Sequence, residues 1–379
     1  MSKFLLIPDS FKGTMSSEEI CSIMEKAIRQ NHPTSEIISI PVADGGEGSV
    51  NAFLKAMGGE RISTIVKGPY FEDMEAFYGI VENGKTAVIE MAACAGLPLV
   101  ENRPNPSLTT TFGVGQLMED AILRGCKKII MGLGGSCTND AGTGAAAALG
   151  VKFMDQKGNS FVPVGGTLCE IAHIDTSNLL PALKEIELVT MCDIDNPLHG
   201  ENGAAYIFGP QKGASPEMVK KLDEGLKHLD QMLQKDLNQS LAQIKGAGAA
   251  GGMGCGMVAF FGSNLQMGIE IVLDTVKFDE LLKDTDYVFS GEGKIDSQSI
   301  RGKVVIGVAN RTKKANVPLI AIVGDIGDHI EEAYEKGVSG IFSINRVAVE
   351  YKDARKRARE DLFLTVDNLM RFMKRKHGL

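Results

Sequence analysis

A chain of 379 residues is too long for one hydrophobic core and predicts two domains. Its 44% hydrophobic and 23% charged residues are ordinary for a globular protein in water, and a net charge of −8 with a pI of about 5.4 gives nucleic-acid binding no electrostatic support. Seven cysteines without a C-x-x-C pair and six histidines without an H-x-x-x-H spacing argue against a zinc site or disulfide framework, and for the reducing cytoplasm. The opening apolar run Phe4-Leu5-Leu6-Ile7 is too short for a secretory segment, and the charge-free stretch 246–268 is too glycine-rich for a membrane span.

The chain begins with a clean alternation. KFLLIP predicts a buried strand, and Ser16-Ser17-Glu18-Glu19 is a capping signal that opens an amphipathic helix. EIISIPV predicts a second strand, followed by a helix through Asn51-Ala52-Phe53-Leu54. Between residues 61 and 93 the short alternating runs RISTIVKG, EAFYGIV and TAVIEMA predict antiparallel strands. A helix over 113–125, the strand KKIIMG and a helix in NDAGTGAAAALG restore the β/α rhythm. EIELVTMCDID is another strand, and residues 216–236 a long helix. The last hundred residues repeat the pattern: DYVFSG, a helix from about 302, PLIAIVG, a helix from about 328, GIFSI, and a terminal helix whose mixed charges mark a solvated face. Alternation of this kind implies parallel sheets covered by helices. The simple ends and mixed middle predict one discontinuous α/β domain, residues 1–66 and 276–379, with a second α/β domain inserted at 67–275.

Two nucleotide-binding patterns in the chain lack the context that would give them meaning. Residues 79–86, GIVENGKT, fit the P-loop pattern G-x-x-x-x-G-K-[ST]. A P-loop must run into a helix whose first amides cradle phosphate, yet Thr86 is followed by the β-branched run Ala-Val-Ile. Asn83-Gly84 is a strong hairpin-turn signal, so this stretch predicts a β-hairpin with Lys85 in solvent. Gly246-Ala-Gly248-Ala-Ala-Gly251 fits G-x-G-x-x-G, but SLAQIK before it reads as the end of a helix where a dinucleotide fingerprint needs a strand.

Five other loops follow predicted strands, where open α/β sheets bind ligands. Asp9-Ser10-Phe11-Lys12-Gly13-Thr14 offers a carboxylate, two hydroxyls and an ammonium, suited to a hydroxy acid or a phosphate, or simply to capping a helix. Asp44-Gly45-Gly46-Glu47-Gly48 sets two acids around paired glycines, for a metal, a substrate hydroxyl or a plain turn. Gly132-Leu-Gly134-Gly135-Ser136-Cys-Thr138-Asn139-Asp140 lies between a strand and a helix, the context for anion binding by free amides, or for a glycine turn capped by Asn139 or Asp140. Asp193 and Asp195 would share one face of an extended strand, where a cation or a proton must join them. Lys212 follows in GPQKG, and Ser290-Gly-Glu292-Gly-Lys294-Ile-Asp296 ends the next domain's strand, with Lys303 opening a helix. Strand-end loops bearing Asp, Glu and Lys suit phosphoryl transfer, in which positioning, metal ions and cationic clamps do most of the chemistry.

PDSFKG, DGGEGS, GLGGSCTNDAGTGAAAALG, CDIDNPLHGENGAAYIFGPQKGA, GAGAAGGMGCG and SGEGKIDSQSIRGKV, spanning residues 8–304, resemble the blocks of the bacterial glycerate kinase type I family in family order. That resemblance implies phosphorylation of D-glycerate by ATP with Mg²⁺, 2-phosphoglycerate as the favoured product, and a flavodoxin-like domain carrying an inserted mixed-sheet α/β domain. It also implies roles at motif level: glycerate near Ser10 and Lys12 with Asp44 and Glu47, and ATP phosphates against Gly134, Gly135, Ser136 and Asn139. Asp193 would be the general base, Asp195 or Asp296 would hold Mg²⁺, and Lys212 and Lys294 would stabilise the transferring phosphoryl group. The competing expectations are a nicotinamide-dependent hydroxy-acid dehydrogenase built on Gly246–Gly251 and a non-enzymatic sugar-acid sensor.

Overall fold

The run Phe4–Ile7 is buried on both faces, as a strand in the middle of a parallel sheet must be. A computed structural model describes residues 2–42, 45–46, 48–296 and 303–376, and divides the chain into two compact units, 1–43 with 269–379, and 44–268.

The first unit is built on five parallel strands. Their spatial order is Val338–Ser343, Leu319–Val323, Tyr287–Gly291, Lys3–Pro8, Glu36–Ser39. Numbered along the chain this is 2-1-3-4-5, the flavodoxin-like order. Leu319–Val323 is buried at every position, which is why it reads as a continuous apolar run rather than an alternation. The helix Ser17–Asn31 starts where its capping signal lies, the Ser16 hydroxyl accepting the Glu19 amide at 3.2 Å. It packs along the terminal helix Tyr351–Lys376, and together with the sheet these buttress a core of Phe4, Leu6, Met24, Ile28, Phe289 and Leu362.

The second unit carries a six-stranded mixed sheet in the order Asn264–Gln266, Glu187–Met191, Lys128–Gly132, Thr86–Glu90, Asp73–Val81, Glu60–Lys67. The first four strands are parallel and the last two antiparallel. Register aligns Glu90 and Met191 with Gly132, and Met191 with Gln266, so the four parallel strands end at one level. The long helix Pro216–Leu237 is capped by Ser215 and ends at Asn238 in the left-handed region. Among the described residues no helix is long and apolar enough to cross a membrane.

Several local expectations change. The unit boundaries fall at 43/44 and 268/269 rather than 66/67 and 275/276. Glu60–Lys67 pairs along its whole length with Asp73–Val81, which ties it to the second sheet. At the other end Glu270 and Asp274 are both bound by Arg311 of the first unit, at 2.7 Å each, which draws the helix Gly268–Thr275 into that unit. The strand at 187 stops at Met191, so Asp193 and Asp195 lie in the loop beyond it rather than on a strand face. SLAQIK is turn and coil, since the preceding helix has already ended at Leu237.

Candidate active site

The hairpin reading of GIVENGKT holds. Val81 pairs with Thr86 antiparallel, Glu82, Asn83 and Gly84 take φ of 53°, 54° and 87°, and Lys85 is exposed. Positive φ at consecutive turn residues matches the twist of the flanking strands, which is what Asn-Gly supplies. Gly246–Gly251 has no strand before it. A Cβ at Gly251 would overlap the Thr138 carbonyl, and one at Gly252 would lie 2.8 Å from the Ala141 Cβ. These glycines let the chain pack against the back of the loop at 138–141, where the Gly251 carbonyl accepts the Ala141 amide at 3.0 Å.

In the first unit the sheet reverses its winding between Lys3–Pro8 and Tyr287–Gly291, the switch point at which flavodoxin-like sheets bind ligands. The loops leaving these two strands lie side by side: the Cβ position of Gly293 is 3.5 Å from Phe11 Cα and 3.6 Å from the Lys12 nitrogen. Phe11 is buried and closes a tight turn, accepting the Thr14 amide at 2.7 Å. Ser10 is half-buried, its amide donating to the Asp9 carboxylate at 2.6 Å, and Lys12 is exposed. Lys294, also exposed, lies in a two-residue strand paired with Asp325–Ile326, and Asp296 follows, half-buried. Ser10, Lys12, Lys294 and Asp296 thus share one end of one sheet, while Ser16 rather than Ser10 caps the helix.

The second unit gathers the other marked loops at the level ends of its parallel strands. Gly45 and Gly46 lie across them: Gly134 donates to the Gly45 carbonyl at 2.9 Å, and a Cβ at Gly134 would overlap Gly46 Cα. Asp44 and Glu47 themselves lie outside the described residues. On the other side Cys137 donates to the Ala95 carbonyl and Leu97 to the Gly135 carbonyl, at 2.9 and 2.8 Å. Gly135, at φ +75°, is the exposed apex of this loop, and Gly134 is half-buried.

Ser136 and Asn139 are interior instead, 6% and 0% exposed. The Thr138 hydroxyl and both ends of the Asn139 amide are buried with no hydrogen-bond partner among the described residues. The amides at the start of the short helix Thr143–Ala148 are not free for an anion, because Asp140 already occupies them. Its carboxylate accepts from the amides of Thr111, Gly142 and Gly144 and from the Thr111 hydroxyl, at 2.7 to 3.3 Å. Burial raises the pKa of Asp140, and these four donors oppose the rise.

Lys212 ends the short turn Pro210–Lys212 and is 2% exposed. Its ammonium donates to the Ser136 hydroxyl at 2.8 Å and to the Thr138 carbonyl at 2.7 Å. Burial brings its pKa down to about 8, against upward contributions from Cys137 and Asp140. Asp193 and Asp195 are exposed beyond the neighbouring strand, and Asp193 accepts the Gly268 amide at 2.7 Å. Buried Glu90, absent from the sequence-level candidates, anchors this end by accepting the Val50 amide at 2.7 Å. An acid ending the apolar run TAVI was its only signal.

Among the described residues no three acids, histidines or cysteines cluster as a metal cage. Mg²⁺ in phosphoryl-transfer sites takes one or two carboxylates and draws its other ligands from phosphate and water, so exposed strand-end carboxylates such as Asp195 fit it better than they would fit zinc.

The glycerate kinase family model matches residues 4–374. A glycerate kinase of Bacillus cereus is 43% identical over 368 residues, 97% of each chain, and a glycerate 2-kinase of Escherichia coli K12 is 45% identical over 343 residues, 90% of each. A crystal structure of a protein assigned as glycerate kinase 2 in Salmonella typhimurium LT2 superposes over 100% of both chains, with a TM-score of 0.88 and 40% identity. These similarities agree with the flavodoxin-like order and the strand-end loops and leave the dehydrogenase and sensor expectations without support: the chain belongs to the glycerate kinase family and is an enzyme of the kinase class.

Proposed function

We propose that this chain transfers the γ-phosphoryl group of ATP to the 2-hydroxyl of D-glycerate, in the cytoplasm and with Mg²⁺. The observation that carries this is the match of residues 4–374 to the glycerate kinase family; the relative named a glycerate 2-kinase supports the position of transfer. Seven free cysteines fit a reducing compartment.

Phosphoryl transfer asks a protein mainly to position its substrates and stabilise charge. In this reading Lys12, an exposed cation beside Ser10, holds the glycerate carboxylate. Gly135 offers an approach to backbone free of any Cβ, and so is the point of phosphate contact. Asp193 takes the proton of the attacking hydroxyl. Lys294 supplies exposed positive charge for the phosphoryl oxygens, a role that Lys212 cannot fill directly at 2% exposure. Bound at Asp195 or Asp296, Mg²⁺ would neutralise phosphate charge; Asp44 and Glu47 remain candidates for the glycerate hydroxyls. The test is ³¹P NMR of the product from ATP and D-glycerate. A phosphorus doublet, split by a single methine proton, is expected; a triplet from a methylene would refute the 2-position, and no new ester would refute the activity.

A further inference from the structure

The loop at 134–138 is held by backbone contacts to residues 45–46 on one side and 95–97 on the other, by the Thr109 hydroxyl, which donates to the Cys137 carbonyl at 2.9 Å, and by a charged side chain that arrives from 76 positions away. That side chain is Lys212. Its two hydrogen bonds run to Ser136 and Thr138, so it spans the loop immediately behind the exposed apex Gly135. No carboxylate pairs with it among the described residues; the titratable groups that face it are Cys137 and Asp140, and Asp140 spends its oxygens on Thr111, Gly142 and Gly144. An ammonium in the interior without a carboxylate partner is costly, and an apolar side chain of the same length would avoid that cost. Its placement is accounted for by what it holds.

We infer that Lys212 is a positioning residue for the nucleotide, acting through Ser136 and Thr138 to fix the backbone at Gly135 without touching the phosphates itself. This rests on the assignment of the 134–139 loop to ATP. It assigns Lys212 a role selective for one substrate: Ser10 and Lys12, proposed for glycerate, belong to the other unit, and both bonds of Lys212 end within the loop at 136–138.

The experiment measures binding of a non-hydrolysable ATP analogue and of D-glycerate separately by calorimetry, with steady-state kinetics, for wild type, Lys212→Met, Ser136→Ala and the double variant. Lys212→Met should weaken the analogue at least about tenfold while leaving glycerate within about twofold, and should raise the KM for ATP far more than it lowers kcat. Ser136→Ala, which keeps the bond to Thr138, should show a smaller loss of the same selectivity, and the double variant should be no worse than Lys212→Met. A folded Lys212→Met with wild-type analogue affinity, or with equal losses for both ligands, overturns the inference. Should Lys212→Met fail to fold, Ser136→Ala decides, and unchanged analogue affinity in it overturns the inference equally. A wild type that transfers no phosphoryl group sinks the functional reading; an active wild type with an unaffected Lys212→Met sinks only the role of Lys212.

Discussion

Lys212 also makes a prediction that needs no substrate. Its pKa is brought from 10.5 in the unfolded chain to about 8 by burial. Below pH 8 the native protein must keep an ammonium in its interior, and the destabilisation is fully present. Between pH 8 and 10.5 the native state has released the proton while the unfolded chain still carries it, so stability from this group rises with pH. Across that interval, roughly 2.5 pH units, the relief amounts to about 3 kcal/mol. Lys212→Met removes the titration altogether. It also leaves the Ser136 hydroxyl and the Thr138 carbonyl without their partner, at about 1–3 kcal/mol each, but that loss does not vary with pH. The slope of the difference therefore isolates the ammonium where the absolute difference does not. Urea unfolding of both proteins from pH 7 to 10.5 should show wild type gaining on Lys212→Met as pH rises, with most of the gain above pH 8. A gap that stays constant, or moves the other way, would refute the argument and imply that a carboxylate compensates the charge.

Three further predictions concern the reaction. Lys85→Ala should leave kcat unchanged, because a surface change on the hairpin turn costs within about 0.5 kcal/mol, whereas Asp193→Asn should lower kcat about 10²- to 10⁴-fold while still accepting the Gly268 amide; a dead Lys85 variant beside an active Asp193 variant would invert the assignment. Gly135→Val forces a β-branched side chain to φ +75° at the exposed apex and should raise the KM for ATP at least about tenfold, so an unchanged value in a folded variant removes this loop from the nucleotide site. Lys12→Ala should weaken glycerate by about 1.5–3 kcal/mol with little effect on ATP, and the reverse selectivity would move Lys12 to the phosphates.

The parallel strands were legible because a strand covered on both faces must be apolar at nearly every position, as Leu319–Val323 is. The hairpin at Asn83-Gly84 was legible for a local reason as well, since turn chemistry depends on the turn residues alone. The unit boundary was not. The alternating runs over 61–93 predict the antiparallel strands, but nothing within Glu60–Lys67 states where one unit ends and the next begins, and the segment exposes alternate residues as any edge strand would. Of the two readings of the helix-start amides, open to an anion or capped by Asp140, the sequence could not choose for the same kind of reason: Thr111, which helps Asp140 fill that position, lies 29 positions upstream.

The polar residues of the glycine loop carry this point into the chemistry. Ser136, Asn139 and Lys212 are polar in sequence and so read as ligand contacts, yet each is inside. Polarity along a chain records which groups need partners, not whether a ligand or the protein supplies them. For Ser136 the partner is a lysine 76 residues away; for Asp140 it is the backbone of a neighbouring helix. Glycines obey the same logic. Gly135 is free of neighbours except Ala92 and has a positive φ, Gly134 is required by contact with Gly46, and Gly251 by contact with Thr138. In the proposed reading a glycine motif of this chain can meet phosphate only where its backbone meets solvent, and that condition separates Gly135 from the other two more sharply than any spacing rule.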